Sequence, residues 1–184
     1  MIKYSEFIRL DDAAHELAIQ NLSEEDALDL FDQMPFSTQP FSYEPGSEYF
    51  ETIDELYACL LRFVVPASKP WRANEIAGHE LSHAQCAITL GATSIKYSVT
   101  LGGESGPAVL THTESPEPLP NLAFAAIAMH PHGSHSSLVD MRNVTEWGYA
   151  SRQQVTERIQ RWNEIDYGFK IPEPRSEPLM YQPK

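Results

Sequence analysis

The sequence predicts an α+β fold, mainly helical with a small sheet of short antiparallel strands. Three observations carry that expectation. Apolar residues recur at helical spacing in several stretches bounded by capping residues, prolines and glycines. Between residues 94 and 113 the pattern changes to the alternating β-branched and aromatic residues of paired strands. With 184 residues and 42% hydrophobic content, the chain suits one globular domain with a sizeable core.

Each element follows in order. The first 70 or so residues read as an acidic helical segment: Ser23-Glu24-Glu25-Asp26 starts a helix, and Pro35, Pro40 and Pro45 place a loop between Met34 and Gly46. Thr52-Ile53-Asp54-Glu55 has capping-box spacing ahead of the apolar run Leu56 to Phe63, so a second, buried helix ends near Pro66. A third helix opens at Ala73 or Asn74 and runs to Leu90, where Gly91 supplies a left-handed stop. Ser94 to Leu101 alternates as a half-buried strand, and Ala108 to Thr113 pairs with it across a turn at 103–107. Three prolines within 115–120 make a loop before the alanine-rich core helix Asn121 to Met129. A histidine-rich turn leads to a helix around Ser136 to Trp147, and Ser151 caps a last helix through Trp162. The tail from Ile171 is rich in proline and reads as disordered or as an extended arm.

Charge and cysteine usage narrow the function classes. A formal net charge of −13 repels nucleic-acid phosphates and acidic lipid, so neither nucleic acid nor a membrane surface is the expected partner. No stretch approaches the roughly 18 uninterrupted apolar residues of a membrane span, and the opening residues lack a signal-type apolar core. Cys59 and Cys86 both sit in apolar helical runs and read as thiols rather than a disulfide framework, which points to a reducing, cytoplasmic setting.

The chemistry concentrates in the third helix, at His79-Glu80-Leu81-Ser82-His83. Residues four apart share a helix face, so His79 and His83 offer two imidazole nitrogens to one ion, and Glu80, one step round, presents a carboxylate to water on that ion. Zinc (Zn2+) suits such ligands, and Glu80 is then the general base. On a helical projection Ile76, Cys86, Ala87 and Leu90 share the histidine face, while Ala77, Leu81, Ala84 and Ile88 form a second apolar side. Polar groups inside such a helix need a reason, because burying them unpaired costs several kcal/mol on the order of transfer values. A metal supplies it. His112, His130, His132, His135 and Asp140 are downstream candidates for a third ligand. Asp140 stands in a helix with Leu138, Met141 and Val144 about it, or is a surface acid beside Arg142 and Asn143.

The run Ala77 to Ala87, with Gly91-Ala92 and the strand Ile95 to Thr100 behind it, resembles the zinc peptidase domain of FtsH-type AAA proteases. In that family a His-Glu-Ala-Gly-His helix precedes a strand, an alanine-rich helix, and a helix that bears an aspartate ligand and ends in a Trp-Gly or Tyr-Gly pair. The resemblance covers about residues 74 to 150 and implies a zincin-like fold, with Asn121 to Met129 as the alanine-rich helix, Asp140 as third zinc ligand and Trp147-Gly148 as the closing pair. Ser82 stands where the family has glycine. No Gly-x-x-x-x-Gly-Lys-Ser/Thr string occurs in these residues, so the chain reads as a stand-alone, ATP-independent relative.

The expected organisation is therefore an acidic N-terminal segment over 1–70 packed on the core, a zinc peptidase core over 71–168 and a proline-rich tail over 169–184. The expected function is that of a zinc metalloendopeptidase acting on peptides or unfolded protein, with the substrate extended along Ile95 to Thr100. The rival expectation is a non-catalytic interaction protein that keeps the fold and engages a basic partner through its acidic N-terminal segment. Glu80 separates the two, because a purely structural zinc site has no use for a general base.

Overall fold

Local signals set most of the helix ends. In the computed structural model, which describes residues 19, 22–37, 47–103, 106–117, 119–131 and 135–161, helix α1 spans Glu24–Gln33. The Ser23 hydroxyl accepts from the Asp26 backbone N–H at 3.1 Å, and three acidic residues in the first turn complement the helix dipole. A short strand β1, Glu48–Phe50, precedes α2, Ile53–Cys59, which opens on a complete capping box between Thr52 and Glu55. The helix continues through a π turn, Leu60–Val64, closed by the Val65 N–H donating to the Leu60 carbonyl at 2.9 Å.

Helix α3, Trp71–Thr89, begins before the expected Ala73 because Pro70 already has helical angles, φ −63 and ψ −23, and its ring presets the first turn. It stops in a Schellman arrangement: Gly91 takes φ +100, its N–H donates to the Ile88 carbonyl, and the Ala92 N–H donates to the Ala87 carbonyl. Strands β2, Ser94–Gly103, and β3, Gly106–Glu114, follow. Then come α4, Asn121–Ala128, α5, His135–Glu146, and α6, Arg152–Gln160, the last opened by a capping box between Ser151 and Gln154. Helix α5 ends as α3 does, with Gly148 at φ +75 and the Tyr149 N–H donating to the Val144 carbonyl. The expected loop beyond Ser37, His132, Trp162 and the tail from Ile171 lie outside the described residues.

The fold is α+β, mainly helical with one three-stranded antiparallel sheet in the order β1-β2-β3. Two compact units can be distinguished, one holding the described residues from 47 to 117 and the other those from 19 to 37 and from 119 to 161. In the first, Tyr97 pairs with Phe50 on one side and Thr111 on the other, so the odd positions of β2 face one way. Tyr97 and Val99 pack there against Leu56, Cys59 and Leu60 of the α2 segment and Ala73, Ala77 and Ala84 of α3. The half-buried strand expected at 94–101 is corrected: Tyr97, Ser98, Val99 and Thr100 are all buried, because β2 is the central strand and β1 covers its flank. β1 itself escapes sequence reading, three residues being too few to show a period of two.

The second unit packs Leu30 and Phe31 of α1, Ala125 of α4, Leu138, Met141 and Val144 of α5 and Val155 and Ile159 of α6 around one core. Polar clamps organise it. Arg142 reaches Glu146 at 2.6 Å and lies against the rings of Phe31 and Phe36, 5.5 and 5.2 Å from their centroids. Asp32 pairs with both terminal guanidinium nitrogens of Arg152, and the Arg158 Nε donates to the Met129 carbonyl at the end of α4 at 2.8 Å. Helix α4 is less enclosed than its composition suggests: Ala125 and Ile127 are buried, whereas Leu122 is 64% exposed and Phe124 40%.

Candidate metal centre

Helix α3 delivers the motif as its spacing requires. One turn separates His79 from His83, and their Nε2 atoms stand 3.1 Å apart with the rings edge to face at 4.7 Å between centroids. Two nitrogens bound about 2.0–2.1 Å from one tetrahedral ion lie about 3.3 Å from each other, so the pair already has the spacing of a chelate. His83 is buried and His79 partly so.

Glu80 turns to the sheet side of the helix and is only 5% exposed. Its carboxylate does not lie among apolar groups alone. The Thr111 hydroxyl of β3 approaches Glu80 Oε2 at 2.6 Å and the Glu80 backbone carbonyl at 3.0 Å. Tyr97, the cross-strand partner of Thr111, has its phenol pushed up to about 12, first by burial and then by the negative charge of Glu80. The phenol is therefore neutral near pH 7.

Among the described residues one set of candidate metal ligands occurs, His79, His83 and Asp140. The two histidines stand on α3 and Asp140 on α5. The donor set, two imidazole nitrogens and one carboxylate oxygen, is one that divalent transition metals accept with coordination positions left open. The histidines weighed against Asp140 are placed elsewhere or are outside the grouping. His112 Nε2 sits 2.7 Å from the Ser98 hydroxyl on the opposite face of the sheet from Thr111, and burial lowers its pKa. His130 and His135 are absent from the grouping of described residues, and His132 is not among those residues.

Two readings of the α3 surface are corrected. Leu90, expected on the histidine face, is 41% exposed, and Ile88, expected on the second apolar side, is 59% exposed. The inward line is Ala73, Ala77, Glu80, Ala84 and Ala87, so small residues bring the helix close to the sheet and place Glu80 against it. The strand expected to receive an extended substrate is corrected too. β2 is paired on both sides over 97–99, which occupies its backbone there. Among the described residues β3 pairs with β2 alone and is an edge of the sheet.

Thr111 is the site residue that sequence reading missed. Its signal is faint: Val109, Thr111 and Thr113 occupy one face of an alternating strand, and nothing in that alternation singles out the threonine beside Glu80. The thiol of Cys59 is raised by burial and then by Glu48, and neither Cys59 nor Cys86 is in a disulfide. No helix among the described residues is long and apolar enough to cross a membrane. No protein-family model, curated protein or solved structure matches the chain.

Proposed function

We propose that this chain is a zinc-dependent, ATP-independent metallopeptidase that hydrolyses peptide bonds in flexible segments. The observation that carries the reading is the His79–His83 pair, two Nε2 atoms 3.1 Å apart on one helix with the buried carboxylate of Glu80 between them in sequence. His79, His83 and Asp140 are the proposed ligands, the pair on α3 supported by its own spacing and Asp140 by the resemblance of the sequence. A zinc ion held there supplies Lewis acidity and brings the pKa of water down to about 7.

The chain's own residues do the rest. Glu80 accepts a proton from the attacking water and returns it to the leaving amine, so the same carboxylate serves as base and then as acid. The edge of β3, unpaired with any other strand among the described residues, offers backbone groups to an extended peptide, and a folded substrate, with its backbone groups already paired, fits that edge poorly. This is the part that flexible segments play in the proposal. The resemblance to the FtsH-type peptidase domain belongs to the same proposal, as does a reducing cytoplasmic setting for the two thiols.

The test is cleavage of an unstructured protein by wild type and by Glu80→Gln, each assayed at measured zinc content. The amide keeps the size of the side chain and cannot take the proton, so zinc stays stoichiometric while the rate falls about 10²–10⁴-fold. Cleavage by Glu80→Gln at the wild-type rate would remove Glu80 from the chemistry and favour the non-catalytic reading.

A further inference from the structure

We infer that Thr111 is the positioning residue for Glu80, a hydroxyl on β3 that fixes the carboxylate in the orientation proton transfer needs. The inference rests on the proposed role of Glu80 as the proton acceptor.

A glutamate side chain has three rotatable bonds, and holding it in one conformer costs side-chain entropy. A base that wanders among rotamers meets its water in only a fraction of the population. Thr111 restricts that freedom with one hydroxyl that stands within reach of two Glu80 oxygens. Its Oγ1 stands 3.0 Å from the Glu80 backbone carbonyl and 2.6 Å from Glu80 Oε2. The shorter separation is typical of a hydroxyl donating to an ionised carboxylate. The single hydroxyl proton goes to the nearer acceptor, Oε2, while the same oxygen lies beside the backbone carbonyl at the root of the side chain.

The anchor itself is stiff. Threonine is branched at Cβ and restricted at χ1, and residue 111 sits mid-strand, paired with Tyr97 of the central strand. Tyr97 is 4% exposed and packs in the core beneath α3, so the rung carrying the hydroxyl is held by the sheet and not by a loop. The histidines are placed by their own helix; the base is placed by the helix and the sheet together. A bond between residues 31 positions apart, made by a hydroxyl with no place in the zinc motif, separates this role from that of the ligands.

The test compares Thr111→Val, which keeps shape and deletes the hydroxyl, with Thr111→Ser, which keeps the hydroxyl. Hydrolysis of an unstructured protein and bound zinc are measured for each. Thr111→Val is expected to retain one zinc per chain and lose about 10–100-fold in kcat with KM nearly unchanged. Thr111→Ser is expected to recover most of that loss. A second readout needs neither zinc nor turnover: chemical unfolding of the metal-free protein in a double-mutant cycle of Thr111→Val and Glu80→Ala. It should show coupling of about tenfold or more in the unfolding equilibrium constant. Wild-type kcat in Thr111→Val, equal damage from the serine and valine variants, or absence of coupling would each overturn the inference. Coupling in the metal-free protein beside a zinc-loaded wild type that cuts nothing supports the clamp and overturns the peptidase reading instead.

Discussion

At the scale of single residues the third ligand is the sharpest question. The sequence neighbours of Asp140 on α5 have partners of their own. Arg142 reaches Glu146 and lies between Phe31 and Phe36, and the Asn143 side chain accepts from the Ser37 backbone N–H at 2.8 Å. Asp140 is also mid-helix, where the backbone is fixed, whereas His135 is the first residue of α5. Asp140→Ala should therefore weaken zinc binding by more than about 100-fold, and His135→Ala should stay within the roughly 10–100-fold of a residue that only orients a ligand. Competition against a chromophoric chelator measures both. A collapse in His135→Ala beside unchanged affinity in Asp140→Ala would move the role to the histidine. The histidine pair was legible because helical spacing alone puts its two rings together. Thr111 was not, since its contact with Glu80 depends on how α3 lies against the sheet.

At the scale of elements the caps carry information that the sequence states outright. Ser23, Thr52, Ser151, Gly91 and Gly148 each end a helix where their chemistry predicts, because a cap acts within four residues of its own position. Thr52→Ala should cost about 1 kcal/mol, and the loss should appear as a lower midpoint in urea unfolding. An unchanged midpoint would mean that the capping box contributes nothing to α2. Pairing between distant elements was not legible. Asp32 meets Arg152 across 120 residues, and the hydrogen bonds and charge of Arg152, with Arg142 behind it, hold the Asp32 carboxyl below the usual carboxylate range. A carboxyl depressed in the folded state stabilises above its unfolded pKa, and that stability is lost as pH falls toward the folded value. Both partners are well exposed, so the contribution is under about 1 kcal/mol. Asp32→Asn should be less stable than wild type at pH 7, and the gap should close below about pH 4. A gap that persists at pH 2 would contradict the ion-pair account.

At the scale of the whole molecule, periodicity tells which face of an element is apolar but not which other element covers it. Residues 94–113 read correctly as paired strands, yet the central position of β2 depends on a three-residue partner, Glu48–Phe50, that local pattern does not reveal. Helix α1 likewise shares a core with α5 and α6, more than a hundred residues away, a partnership set by packing alone. The account's central claim, a zinc ion held through His79 and His83, also has a whole-molecule consequence, because an ion that binds only the folded chain stabilises it by about 4 kcal/mol at a thousand times its Kd. Zinc per chain, measured by elemental analysis on the purified protein and on His83→Ala, tests that claim most directly. The account predicts close to one zinc in the wild type and essentially none in the variant. Stoichiometric zinc in His83→Ala, or none in the wild type after exposure to zinc, would contradict it.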